Sequence, residues 1–399
     1  MIVRSEGNHN PCQQGLKGQP LALDISPGNA EQDIATLQAV HESSTGHGVD
    51  VAVIDTGSAT PGVHGDRDMC FLHGSAVATV ISTLAPGARI TSFKHSAQSH
   101  TPQGTVAELV QALTKATAAG AKIINISMVA CTDTRELRDA ITGAHAQGAL
   151  VVASTGNTGQ CEGGATPFPA AIEGVLAVGA VDSVGINVPG GPDTSGVDAG
   201  RVPAAYSAPT PYVDIFAPGG PISAVIDAPG AGPTTLIGDP APFIGTSYAA
   251  PFVTGTAALI WQAAPHLQPH EVASILLTTA TPGGAAGAMT DPIKVVNAPS
   301  AVAAAQALNS PHPEGQATAL ETKRVEQESV TVTGQGYQNP GVDYSVPLAA
   351  GAVMALVTVV VLVCRAFSSV NKPPSAKPAT TAHGTSTHPG RSDSPGSSA

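Results

Sequence analysis

The chain has 399 residues, enough for one large buried core with appendages, and only 12% of them are charged. Its 17 basic against 29 acidic residues leave a net charge of −12, which argues against a nucleic-acid partner. Aromatic residues make up 3% while Gly (44) and Pro (34) are abundant, so the core must be built from Ala, Val, Ile and Leu, as in a tightly packed α/β protein.

Residues 1–29 are rich in Gly, Pro, Gln and Asn and lack apolar periodicity, which predicts an extended arm; with a short helix over Glu31–His41 they make an N-terminal extension, 1–45. Thr45-Gly-His-Gly48 marks a turn. Val49-Asp-Val-Ala-Val-Ile54 is a nearly continuous apolar run ending in Asp55-Thr-Gly57, the pattern of a buried parallel strand with an acid at its C-terminal end. A loop leads to His73-Gly-Ser-Ala-Val-Ala-Thr-Val-Ile-Ser82, where Ala76, Val77, Val80 and Ile81 share one helical face and His73 stands at the helix start.

Strands and helices then alternate. Strands are predicted at 89–93, 122–127, 150–154, 174–180 and 213–217, and helices at 105–119 and 134–147. This alternation implies a mostly parallel sheet with helices on both faces, whose functional crevice lies beyond the C-terminal strand ends. Phe243–Ile260 sets Ser247 between a small-residue turn, Gly245-Thr246, and a long apolar helix in which Pro251 is tolerable only near the start. A helix over 267–280 and a last strand and helix over 292–308 close the domain, 46–308.

Beyond it, 309–345 has the composition of a linker, and the Ser-, Pro-, Thr- and Gly-rich tail 367–399 that of a disordered segment. Between them Val346–Val363 carries no charge and is long enough to span a bilayer, giving an expected transmembrane helix at 346–366. Arg365, Lys372, Lys377 and Arg391 follow it, so the positive-inside rule puts the tail in the cytoplasm and the domain outside. That topology calls for an export signal, and Met1–Pro20 holds no apolar run of the needed length. The true start lies upstream, the signal has been removed, or the helix is a tail anchor with a cytoplasmic domain. Cys12, Cys70, Cys131 and Cys161 all precede the helix and form an even set suited to an oxidising compartment, which favours the first two.

Three polar residues fall where the crevice is expected: Asp55 after a strand, and His73 and Ser247 at helix starts. A serine hydroxyl is a weak nucleophile until an imidazole takes its proton, and the imidazole needs a carboxylate to fix its tautomer. The helix start supplies orphan N–H groups and a positive dipole end to a developing oxyanion. Asn157, in Ala153-Ser-Thr-Gly-Asn157, also follows a strand and is the candidate second donor, beside the Ser247 N–H. His41, His47, His64, His95 and His145 lack metal-ligand spacing and are expected on surfaces or loops; Asp66 and Asp68 are expected to be solvated; no cofactor or metal is implied.

Asp55-Thr-Gly57, His73-Gly-Ser-Ala-Val-Ala78 and Gly245-Thr-Ser-Tyr-Ala-Ala-Pro251 resemble, in type, order and approximate separation, the three signatures of the subtilisin-like (S8) serine peptidases. Ser75 departs from the usual threonine but keeps the hydroxyl. Asn125-Ile-Ser-Met-Val-Ala-Cys131, the cysteines before His73 and after Asn157, and the single C-terminal apolar segment are similar to the mycosins, the membrane-anchored subtilases of type VII secretion systems. The resemblance implies a protein- or peptide-cleaving enzyme that uses Asp55, His73 and Ser247, with Ser127, Met128 and Val129 pairing with substrate backbone. Val129-Ala130-Cys131 stands where the family usually continues into glycines, and the loop from Asp55 to His73 is shorter than in mycosins. The implied partners are the membrane and a type VII secretion membrane complex, and the other role to weigh is that of a structural subunit in which proteolysis is secondary. Cys131 and Cys161 each follow a strand of the same sheet, so a Cys131–Cys161 disulfide is expected, with Cys12 and Cys70 left to pair as one of three possible connectivities.

Overall fold

The structure, a computed structural model, describes residues 15–17, 30–68, 71–95, 104–181, 202–238, 242–283 and 292–310. Cys12, Cys70, the linker, the apolar segment 346–363 and the tail lie outside the described residues. Among those described, no helix is long and apolar enough to cross a membrane.

In chain order the elements are β1 (Gly15–Lys17), α1 (Ala30–Ser43), β2 (Asp50–Asp55), β3 (His64–Gly65), α2 (His73–Leu84), β4 (Arg89–Lys94), α3 (Val106–Ala118), β5 (Ile123–Ile126), α4 (Arg135–Ala146) and β6 (Leu150–Ser154). There follow β7 (Leu176–Val181), β8 (Ile215–Pro218), β9 (Ser223–Ala228), β10 (Gly232–Gly238), α5 (Thr246–Ala263), α6 (Pro269–Thr278), β11 (Thr281–Pro282), β12 (Lys294–Val295) and α7 (Ala298–Asn309). Among the described residues the main sheet has nine strands in the order β11-β12-β8-β7-β6-β5-β2-β4-β3, parallel except for the β11–β12 pair.

Strand alternation explains why the central strands are apolar throughout. Val51 and Val53 of β2, Ile123 of β5 and Leu150 and Val152 of β6 enter one core, shared with α2, α5 and α7. Ala52 and Ile54, Ile124 and Ile126, and Val151 and Ala153 enter the opposite core, shared with α3 and α4. Each strand is thus buried on both faces, as a parallel sheet between helix layers requires.

From β2 the chain runs through α2 to β4 on one side, then crosses by α3 to β5 on the other. The neighbours β2 and β5 therefore carry loops that leave in opposite directions, which opens a crevice at their C-terminal ends. Helix α5 lies beneath it and has 17 buried residues, chiefly small ones. At Gly255 an added Cβ would stand 2.7 Å from Leu84 Cβ, so α2 and α5 approach to a distance that only glycine allows.

The hairpin β9–β10 was not legible in the sequence. With β1 it forms a separate three-stranded antiparallel sheet, in which Leu16 lies opposite Ile237 and Thr235 opposite Val225. It is joined to the domain by the N–H of Val225 donating to Thr79 Oγ1 (2.9 Å) and that of Asp227 donating to the Ala59 carbonyl (2.8 Å). Helix α1 belongs to the same body: Val40 is part of the core and Leu37 packs against it.

Candidate active site

Asp55 is the last residue of β2, a central strand, and its side chain is wholly buried at the floor of the crevice. Its Oδ1 accepts the Thr56 N–H at 2.7 Å and lies 2.7 Å from His73 Nδ1. An ionised carboxylate can only accept, so Nδ1 carries the proton and Nε2 is left as the basic nitrogen. Asp55 Oδ2 is buried without a hydrogen-bond partner among the described residues.

Burial by itself would raise the Asp55 pKa, but the charge of His73, its hydrogen bond, the Thr56 N–H and the more distant charge of His95 outweigh it. The carboxyl is held below its ordinary value of 3.8.

The two signatures carrying these residues interlock through their small members. The Gly74 N–H donates to Thr56 Oγ1 (3.1 Å), the Thr56 hydroxyl to the Phe71 carbonyl (3.2 Å), and the Ala59 N–H to Ser75 Oγ (3.0 Å). Ser75 therefore performs its bond with a serine hydroxyl. At Gly74 a Cβ would fall 2.3 Å from the Gly57 carbonyl oxygen and 3.1 Å from Asp55 Oδ1. Glycine after the histidine is what lets α2 start against the end of β2.

Ser247 is the second residue of α5, 9% exposed, with Gly245 as N-cap. The ring of the next residue, Tyr248, packs on the His73 imidazole with centroids 5.1 Å apart and on Phe243 at 6.0 Å. Burial, and to a lesser degree the charge of Asp55, push the Tyr248 phenol far above its ordinary pKa, so the ring is a neutral packing surface. Among the described residues, no hydrogen bond joins Ser247 Oγ to His73; such pairs are often loose in free enzymes and tighten with substrate.

Asn157, after β6, is oriented by its oxygen. Oδ1 accepts both the Thr246 N–H and the Thr246 hydroxyl at 3.1 Å, and Gln160 Oε1 accepts the Asn157 N–H at 2.9 Å. Since an N–H must face an oxygen, the Nδ2 donors turn to the other side. The amide lies against Gly245, where an added Cβ would stand 3.2 Å from Nδ2.

Ser127 is 2% exposed, and its hydroxyl donates to the Ser247 carbonyl at 2.7 Å, so its side chain serves α5. Met128 and Val129 are half-buried; Met128 packs against the core under α3 and α4, and Val129 lies against Gly156. The chain then bridges antiparallel to Phe168 through Ala130. Cys131 and Cys161 are joined by a disulfide with Cα atoms 5.4 Å apart, which ties the segment after β5 to the loop bearing Asn157.

Expectations for the histidines and for Asp68 are corrected. His41 and His145 are neither on loops nor exposed but half-buried within α1 and α4. His95 is in the loop just after β4 but not on a surface: it is 4% exposed, and its Nδ1–H and N–H both donate to the Asp55 carbonyl, at 2.8 and 3.0 Å. Asp68 is not solvated: it is 9% exposed, pairs with Lys94 Nζ at 2.7 Å and accepts the Phe71 N–H at 3.0 Å. His95 and Asp68 are drawn in by β2–β4 pairing, which places Lys94 opposite Asp55. Sequence reasoning also gave no role to Asn125 and Tyr248, whose importance comes from contacts with Thr254 and His73 in distant segments, or to Gln160, which acts locally on the Asn157 N–H three residues away.

Residues 26–330 match the profile of the subtilase family. Mycosin-1 of Mycobacterium tuberculosis is 31% identical over 297 residues, 61% of this chain and 66% of its own length. Mycosin-4 of the same organism is 32% identical over 303 residues, 63% of this chain and 65% of its own length. The chain thus spans just under two thirds of the length of these curated relatives. The crystal structure of MycP1 from Mycobacterium smegmatis superposes with a TM-score of 0.55 at 25% identity, covering 73% of this chain and 90% of that one. The structure of MycP3 protease from the type VII (ESX-3) secretion system superposes with a TM-score of 0.53 at 26% identity, covering 75% of this chain and 97% of that one. With the family profile matched over most of its length, the chain belongs to the subtilase family of serine peptidases and is similar to the mycosins.

Proposed function

We propose that this protein is a serine endopeptidase in which Ser247 is the nucleophile, His73 the general base and then acid, and Asp55 the orienting carboxylate. The observation that carries the reading is the buried 2.7 Å contact between Asp55 Oδ1 and His73 Nδ1, with the helix bearing Ser247 packed against the same imidazole. The Ser247 hydroxyl gives its proton to His73 Nε2 as its oxygen bonds the peptide carbonyl carbon. The charge formed on the carbonyl oxygen is taken up by Asn157 Nδ2–H and the Ser247 N–H. The C–N bond then breaks, the imidazolium protonates the leaving amine, and water hydrolyses the acyl-enzyme by the same steps. The backbone of Ser127-Met-Val129 holds the substrate in an extended form.

The apolar segment within 346–366 anchors the chain to a membrane, with the catalytic domain on the extracytoplasmic side. The similarity to Mycosin-1 and to MycP3, a protease of the type VII (ESX-3) secretion system, supports association with a secretion complex of that class.

The test is labelling of the oxidised, folded protein with a fluorophosphonate. Labelling is expected in the unsubstituted chain, absent in Ser247→Ala and steeply reduced in His73→Ala. An unsubstituted protein that does not label overturns the peptidase reading.

A further inference from the structure

Helix α5 has a gap in its ladder at its most consequential point. The carbonyl of Ser247 is due to accept the N–H of the residue four places on, and that residue is Pro251, which has none. A buried carbonyl left unpaired is costly. Here the Ser127 hydroxyl fills the position, donating at 2.7 Å across 120 residues of sequence.

Ser127 is itself fixed from behind. Its Oγ accepts Asn125 Nδ2–H at 2.9 Å, and Asn125 Oδ1 accepts the Thr254 hydroxyl at 2.9 Å. Asn125 and Thr254 are wholly buried, Ser127 is 2% exposed, and the three form a polar chain running from α5 to β5 and back to α5. Thr254 lies seven residues beyond Ser247, two helical turns along, so both ends of the chain fall on one face of the helix.

We propose that Ser127 and Asn125 are positioning residues for the nucleophile, and that Pro251 makes them necessary by freeing the Ser247 carbonyl. The inference rests on Ser247 being the nucleophile. Holding that carbonyl from the sheet fixes the backbone torsions of Ser247 against the crevice, and with them the aim of its Oγ and of its N–H. An N–H from residue 251 would tie the carbonyl to the next turn of the helix instead. This role belongs to the Ser127 hydroxyl and is separate from the backbone pairing with substrate given to residues 127–129.

The experiment is a double-mutant cycle in the full-length, oxidised protein: Ser127→Ala, Pro251→Ala and the two combined. The readouts are the rate of fluorophosphonate inactivation per titrated active site and the urea midpoint. Ser127→Ala is expected to slow inactivation about tenfold, Ser127→Thr to keep most of the rate, and Ser127→Ala to have little effect once Pro251→Ala supplies the helical N–H. Equal slowing in both backgrounds, or a Ser127→Ala rate per active site that is unchanged while Pro251 is retained, with only the urea midpoint lowered, overturns the proposal. If Ser127→Ala does not fold, Thr254→Val takes its place, with slowing expected while Pro251 is present and none once Pro251→Ala is made; any other pattern overturns the proposal. Failure of the unsubstituted chain to label speaks against the peptidase reading, whereas failure of the cycle in a labelling enzyme speaks against positioning alone.

Discussion

Asp55 meets His73 at 2.7 Å through one oxygen only, and that oxygen also takes the Thr56 N–H. The backbone therefore holds the carboxylate in a single orientation, and the imidazole is held by the carboxylate. Asp55→Asn keeps the shape of this pair but offers an amide that can present N–H to Nδ1. By analogy with the same change in other serine peptidase triads, kcat is expected to fall about 10⁴-fold with KM little altered. Steady-state kinetics on a cleavable peptide checks this.

The same contact makes the fold acid-sensitive. The Asp55 pKa is depressed in the folded chain, so its contribution to stability is complete above the unfolded value, near 3.8, and is lost as pH falls through the lower folded value. Urea midpoints measured from pH 6 downward should drop below about pH 4, and the drop should be shallower in Asp55→Asn. Parallel curves for the two proteins would show that other groups set the acid limit.

Asn157→Ala removes the side-chain donor from the proposed oxyanion site and also the acceptor for the Thr246 N–H and hydroxyl. A loss of about 10²–10³ in kcat is expected from the donor. Asn157→Asp keeps the acceptor while placing a negative charge by the oxyanion, so it should be no more active than the alanine variant. Comparing the two in kcat separates stabilisation of the oxyanion from support of the helix start.

At Gly74 a methyl group would collide with the Gly57 carbonyl oxygen at 2.3 Å and crowd Asp55. Gly74→Ala should cost about 1–3 kcal/mol of stability and, because relief of the clash moves α2 away from β2, should abolish labelling of Ser247. A folded, fully labelling Gly74→Ala protein would show that the two signatures do not need this approach.

The Cys131–Cys161 bridge closes a loop of sequence separation 30. Replacing both cysteines by serine should lower stability by about 3–4 kcal/mol, the loop-closure estimate for that length. Gln160, which accepts the Asn157 N–H, lies next to Cys161, so turnover should also fall. The variant's urea midpoint and kcat, measured together, test both.

The residues of the candidate site were legible because each is announced locally. Asp55 ends an apolar run, His73 opens an apolar helical face, and Ser247 sits between small residues and a helix that is apolar on most sides. The parallel sheet followed from the alternation of such runs with helical segments. The hairpin β9–β10 was not legible: its strands are interrupted by Ala228-Pro-Gly-Ala-Gly-Pro233 and are half-exposed along β10, so neither strict alternation nor a buried run marks them.

By itself the sequence determined the helices and the central parallel strands, and which of them end in chemically capable side chains, because hydrophobic period and helix-start residues act over a few neighbours. Tertiary structure alone decided that His95 is buried against Asp55, that Asp68 pairs with Lys94, and that the Ser127 hydroxyl takes the place of the N–H that Pro251 lacks. These contacts join segments 26 to 120 residues apart, and their partners are fixed by strand register and helix packing, which no local pattern encodes.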